Sequence, residues 1–241
     1  MLAGLGPLLI LGAALLFGLD VGEDLIFFGG TIAIAFIGAF LVWQFGTWSK
    51  IVGILAALLV GMALFWTAFG LGQPASFFDF LPGVLVLPGA LLAIGCCVAA
   101  LLAKRKGKVG VEPDAGERRV VRAVLAIVLL AAVVSGGLNL FTRSTASAGD
   151  AQARVALRDY EFSEDEYRVA GGSRVFIDNQ DPFFHTFTVE GLDIDQDFVG
   201  GSSKVIDIPK KPGTYVVYCK PHTSDPEKPS EDDMASSITV T

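Results

Sequence analysis

Hydrophobic positions follow two different patterns along this chain. Up to residue 141 they form long, almost unbroken runs; beyond residue 153 they fall into short alternating segments. A membrane-crossing helix needs about 20 apolar residues. Five stretches qualify: residues 2–19, 24–45, 51–71, 81–103 and 120–141. None carries a charged residue in its interior. The breaks are residues 20–23, 46–50, 72–80 and a polar loop at 104–119. The first stretch lacks a basic leader and a small-residue cleavage site, so it reads as an uncleaved helix. Residues 142–153 are small and polar, the composition of a flexible tether. After them, short strands are predicted at 154–158, 166–169, 174–179, 186–189, 204–208, 214–218 and 236–241. Gly171-Gly172 and Pro212-Gly213 mark turns between them. About seven short strands in some 90 residues predict an all-β Greek-key sandwich. The expected architecture is therefore a membrane α-helical bundle of about five spans at 1–141, a linker at 142–153 and a β-sandwich domain at 154–241.

Composition sharpens this division. Apolar residues make up 52% of the 241 and the mean hydropathy is +0.58, high values for a soluble protein. From Asp150 onward there are 18 acidic and 9 basic residues, a net of −9; before it there are 7 and 9, a net of +2. An acidic outer domain disfavours nucleic acid as a partner. Lys104, Arg105, Lys106, Lys108, Arg118, Arg119 and Arg122 cluster on one loop, which the positive-inside rule places in the cytoplasm. Lys50 falls on that side as well, whereas Asp20, Glu23, Asp24 and Asp79 fall on the other. The predicted topology is multi-pass in a plasma membrane, with a cytoplasmic N-terminus and an extracytoplasmic C-terminal domain. Three cysteines give no disulfide framework. Cys96 and Cys97 lie in an apolar run and read as small buried side chains. Gly53, Ala57 and Gly61 form a stripe of small residues suited to close helix packing, either internal or with a partner.

The candidate chemistry lies in the outer domain. His185, Cys219, His222 and Met234 offer two imidazoles, a thiolate and a thioether, the ligand set of a mononuclear blue-copper site. The chain has only two histidines, and both belong to this set. Taken singly, each residue has an ordinary reading: His185 as a core histidine among phenylalanines, Cys219 as a buried thiol, His222 as a surface residue, Met234 as a core plug. Their order and spacing favour the joint reading.

The segment from about Val155 to Thr241 resembles the cupredoxin family, close to plastocyanin-like blue-copper domains. The resemblance rests on Val175–Asn179 before His185-Thr-Phe-Thr-Val, on Pro212-Gly-Thr-Tyr-Val-Val-Tyr leading into Cys219-Lys-Pro-His222, and on Met234 before the last strand. It implies one copper ion cycling between Cu+ and Cu2+, held by His185, Cys219 and His222 with Met234 as a weak axial ligand. It also implies roles for three neighbours. The Thr186 amide donates to the Cys219 sulfur, Pro221 withholds a second donor because it has no N–H, and Asn179 either pins the loop before His185 or simply ends a strand. The chain departs from the family between His222 and Met234. Eleven residues intervene, with five acids, Asp225, Glu227, Glu231, Asp232 and Asp233. That makes Met234 the conditional ligand, and the loop either steers a basic partner or is a solvated excursion.

The function expected from these features is a membrane-anchored carrier of single electrons on the extracytoplasmic face, with no catalysis of its own. Expected partners are the lipid bilayer and a basic redox protein such as a cytochrome c, or a respiratory complex; nucleic acid is not expected. The alternative is copper handling as a sensor, store or donor for oxidase assembly. With only three methionines, the chain lacks the exposed Met-rich tract such proteins favour. A multicopper enzyme would require further histidines.

Overall fold

The apolar half breaks into helices of unequal length. The computed structural model describes residues 22–44, 47–107 and 115–241; the expected span at 2–19 lies outside them. Four helices follow: α1 (Gly22–Gln44), α2 (Thr47–Ala63), α3 (Phe77–Arg105) and α4 (Ala115–Thr142). The stretch expected at 51–71 is not one helix. α2 stops at Ala63, and a 3-10 segment, Phe65–Gly72, replaces its last turns. Gly70 lets this segment pack closely on the start of α3, because a Cβ there would lie 2.0 Å from the Asp79 carbonyl oxygen. The 17 residues of α2 rise about 25 Å, short of the roughly 30 Å of a hydrocarbon core. Among the described residues, two helices are long and apolar enough to cross a membrane, Phe77–Arg105 and Arg118–Thr142. The expected count of about five spans is thus corrected to two among these residues.

α3 starts beside a Ser76–Asp79 side-chain hydrogen bond. It ends with Lys104 and Arg105, whose charges suit the negative end of a helix. It stays helical through Pro82 and Pro88. The small-residue stripe packs internally: a Cβ on Gly53 would lie 2.3 Å from Val42 and 3.2 Å from Cys97 Sγ, and one on Gly61 3.6 Å from Ala90. Leu81 and Leu85 of α3 pack with Val128 of α4.

The chain divides into two units, 1–138 and 139–241. The second is a two-sheet sandwich of nine strands: β1 (Ala153–Arg158), β2 (Glu161–Phe162), β3 (Glu166–Val169), β4 (Arg174–Asn179), β5 (His185–Val189), β6 (Ile194–Phe198), β7 (Ser203–Asp207), β8 (Gly213–Tyr218) and β9 (Ala235–Val240). One sheet runs β2-β1-β4-β7, the other β3-β9-β8-β5-β6. Val155, Leu157, Ile177, Phe187, Phe198, Val217 and Ile238 meet in the core between them, each at most 1% exposed. Their alternation along the strands is the period-2 signal of sheet faces. Two strands escape the sequence pattern. β2 has only two residues, and β6 reads Ile-Asp-Gln-Asp-Phe, too polar in its middle to signal a strand; it is a sheet edge paired to β5 in the register His185↔Phe198. Residues 142–153, expected as a tether, hydrogen-bond to the sandwich. Ser203 N–H donates to Ser144 O at 2.8 Å, Ala146 N–H to Ser203 O at 3.1 Å, and Arg143 Nε–H to Gly201 O at 2.6 Å.

Candidate metal centre

The loops joining β4 to β5 and β8 to β9 build the site, because His185 begins β5 and Cys219 directly follows β8. Every residue of β5 is buried. β5 lies between β8 and the edge strand β6, with Phe187 and Val189 in the core and Thr186 and Thr188 on the opposite face. After Cys219 the chain makes a single 3-10 turn, Lys220–His222, that folds His222 back toward the thiol. His222 N–H donates to Cys219 O at 3.0 Å and closes that turn.

Three ligand atoms converge. His185 Nδ1 lies 3.1 Å from His222 Nδ1, and Cys219 Sγ lies 3.6 Å from His185 Nδ1 and 3.3 Å from His222 Nδ1. A triangle with those edges has its centre about 1.9 Å from each corner, near the roughly 2.0–2.3 Å of first-row metal bonds to nitrogen and sulfur. His185 and Cys219 have no exposed surface, and His222 is half-buried. The donor set and its spacing fit one copper ion, and the three side chains form a candidate ligand group for it.

Electrostatics follow from burial. Desolvation pushes the Cys219 thiol up to about 11, although the Thr186 amide donates to its sulfur at 3.3 Å and opposes the shift. The metal-free site therefore holds a protonated thiol at neutral pH. Desolvation, with His185 beside it, pushes His222 down to about 4 and leaves its imidazole neutral. Both shifts leave the protein uncharged at these two positions until a cation arrives.

The other residues named from sequence fall around this triangle. Asn179 is fully buried; its amide donates to the carbonyls of Phe183 at 2.8 Å, Phe198 at 3.1 Å and Val199 at 3.3 Å, and its oxygen accepts the Asp181 N–H at 3.0 Å. Pro221 sits in the 3-10 turn and is half-buried. Met234 is 2% exposed, and its side chain belongs to the same core cluster as Cys219. Its backbone is tied to the site: Met234 N–H donates to His222 O at 2.9 Å, and Cys219 N–H to Met234 O at 3.0 Å. The acidic loop between them closes on itself. Asp233 accepts the Ser224 N–H at 2.8 Å and the Ser230 N–H at 2.7 Å, which holds its carboxyl down at about 2.

Two further residues escape sequence reasoning. Asp181, with no exposed surface, accepts from His185 Nε2–H at 2.7 Å. It also accepts the N–H groups of Asp159 at 2.9 Å and Tyr160 at 3.1 Å. Those two residues form the β1–β2 turn with φ of 56° and 61°, the left-handed pair of a type I′ hairpin. That conformation is uncommon for a bulky residue such as tyrosine. It brings the Tyr160 ring edge-on to both imidazoles, 5.6 Å from His185 and 5.0 Å from His222, and stacks it on Phe183 at 5.5 Å. Asp181 carries little sequence signal, because it ends a polar run, Asp178-Asn179-Gln180, before Pro182-Phe183-Phe184.

Residues 126–227 match the family model of the cupredoxin-like domain. The match takes in His185, Cys219 and His222 and ends before Met234. No curated protein matches the chain significantly. Among solved structures, this chain is similar to a purple cupredoxin from Nitrosopumilus maritimus, at 16% identity and TM-score 0.29, over 37% of this chain and 100% of that one. An oxidised point mutant of amicyanin aligns at 17% identity and TM-score 0.33, over 41% of this chain and 90% of that one. A copper-containing nitrite reductase from Thermus scotoductus aligns at 18% identity and TM-score 0.29, over 42% of this chain and 26% of that one.

Proposed function

We propose that the C-terminal domain is a mononuclear blue-copper electron carrier, in which His185, Cys219 and His222 would hold the copper and Met234 would supply a fourth, weaker sulfur donor. The observation that carries this reading is the buried triangle of two Nδ1 atoms and one Sγ, with edges of 3.1–3.6 Å. When bound, copper supplies a one-electron couple. Thiolate and thioether favour the reduced ion and imidazole accepts both states. The protein's part is to hold the donors still. β5 and the Asp181 contact fix His185, the 3-10 turn fixes His222, and the Met234 backbone is bonded to both Cys219 and His222. Little has to move when the charge changes. Electrons pass to and from redox partners across the surface beside half-buried His222. The acids of the 223–233 loop favour a basic partner there, such as a cytochrome c, with the steering weakened by salt.

The helices anchor this domain in a plasma membrane. Leu129, Leu130, Val133, Leu140 and Phe141 of α4 are exposed, as lipid-facing side chains would be. The basic loop after α3 supports a cytoplasmic side there and an extracytoplasmic copper domain. The protein acts as a carrier and not as a catalyst, docked to a respiratory complex or exchanging with a soluble partner.

The test is copper loading of the purified protein. One Cu(II) per chain with an intense thiolate-to-copper absorption is expected, lost in Cys219→Ser, and Met234→Leu should alter the paramagnetic spectrum while copper stays bound. A colourless protein that binds copper tightly would refute the reading and favour copper storage or delivery.

A further inference from the structure

We propose that Asp181 is a positioning residue that sets the reduction potential of this centre: a buried anion fixed across the His185 ring from the metal-facing nitrogen. This inference rests on the copper reading above and adds to it a residue outside the ligand set. Asp181 and His185 are both fully buried, and the carboxylate oxygen lies 2.7 Å from Nε2. A carboxylate only accepts, so Nε2 carries the proton and Nδ1 keeps its lone pair for the triangle with Cys219 and His222. The contact thereby selects the tautomer that can bind a metal through Nδ1, and it locks the ring plane.

The carboxylate is itself built in. The Asp159 and Tyr160 amides donate to its two oxygens, at 2.9 Å and 3.1 Å. Its own N–H is held by Asn179 Oδ1 at 3.0 Å, and its carbonyl accepts the Gly201 N–H at 3.0 Å. Three N–H groups thus converge on its two oxygens, from His185, Asp159 and Tyr160, which is the environment of an ionised carboxylate. Gly200 allows the neighbouring loop to close over this segment, since a Cβ there would lie 2.1 Å from Pro182 O. The left-handed Asp159–Tyr160 turn also fits this role. It points two amides at one carboxylate and lays the tyrosine ring against both histidines.

The consequence is electrostatic. With the thiolate of Cys219, Asp181 gives the pocket two negative charges against the ion. Two charges balance Cu2+ and over-balance Cu+, so the oxidised state is favoured and the potential is lowered. A unit charge a few ångströms away, at an effective dielectric of about 20, shifts a one-electron equilibrium by more than tenfold.

The experiment is a redox titration of the copper-loaded full-length protein in detergent against a mediator of known potential. Asp181→Asn keeps the shape and one acceptor oxygen but removes the charge. It should retain copper and its visible absorption, and move the equilibrium toward Cu(I) at least tenfold, about 59 mV for one electron. Asp181→Glu, which retains the charge, should stay within threefold of the parent. Glu161→Gln, at an exposed acid of β2, should stay within threefold as well. A coloured Asp181→Asn protein with an unshifted potential would overturn the proposal, because a purely structural residue predicts that result. So would an equal shift in Glu161→Gln. If Asp181→Asn does not fold, Asp181→Ser supplies the neutral pocket and faces the same criterion. Failure of the parent protein to form the charge-transfer band would instead strike the copper reading, so the two failures are separable.

Discussion

Replacing Asn179 with alanine should weaken the outer domain substantially and leave its strands otherwise intact. Asn179 is fully buried at the end of β4, where its amide group bridges three carbonyls, two of them at 2.8 and 3.1 Å. Its oxygen caps the Asp181 amide at 3.0 Å. Alanine removes these four bonds at a net cost of about 1 kcal/mol each, slightly less where two N–H hydrogens are shared among three carbonyls. The expected loss is roughly 3–4 kcal/mol. Domains of this size have total stabilities of about 5–15 kcal/mol, so the variant should still fold at room temperature. At about 4–8 °C per kcal/mol for a domain of up to about 100 residues, its melting midpoint should fall by roughly 12–30 °C. The assay is thermal unfolding of the metal-free protein, followed by the near-ultraviolet signal of the sandwich aromatics. Gln180→Ala is the control: Gln180 is exposed and its side chain bonds only Asp178, at 3.2 Å, so its midpoint should hardly move. A fall of less than about 5 °C for Asn179→Ala would refute the view that this side chain holds the ligand loop together.

Two further outcomes are expected. Metal-free stability should form a plateau between pH 6.5 and 9. His222 drops from 6.5 to about 4 on folding, so its contribution is complete above pH 6.5 and is lost as the pH falls toward 4; Cys219 rises from 9 to about 11, so its contribution is complete below pH 9 and is lost as the pH rises toward 11. Each limb is worth about 3 kcal/mol, read from urea midpoints, and His222→Gln should flatten the acid limb; an unchanged acid limb in that variant would contradict the assignment. Excising residues 225–229 should leave copper binding and colour intact, because Met234 is tied to Cys219 and His222 by its own backbone, and should flatten the salt dependence of electron transfer to a basic partner. Loss of copper on excision would show that the loop holds Met234 in place.

How much of this was legible in the chain differs from feature to feature. The β-sandwich was legible because its strands alternate with period 2 and end at Gly and Pro turns. β6 was not, because an edge strand exposes one side and its Asp195, Gln196 and Asp197 hide the alternation. The apolar stretches were legible as helices, but not their lengths. α2 gives way to a 3-10 segment whose Gly70 packs on the Asp79 backbone, a contact that exists only once the chain has folded back.

For the site, the three donor residues could be read from residue type and spacing, since Cys219 and His222 share one short turn and the chain has no other histidine. The distance between His185 and that turn could not, because it depends on β5 and β8 lying side by side in one sheet. Asp181 belongs to the same class. Four residues before His185 in a loop, it carries no periodic signal, and its buried contact with Nε2 arises from the β4–β5 connection folding under the Asp159–Tyr160 hairpin. Chain order determines which ligand chemistries are available. Their protonation, their spacing and the buried charge behind them are set by burial and by strand neighbours, which are long-range properties that local sequence does not encode.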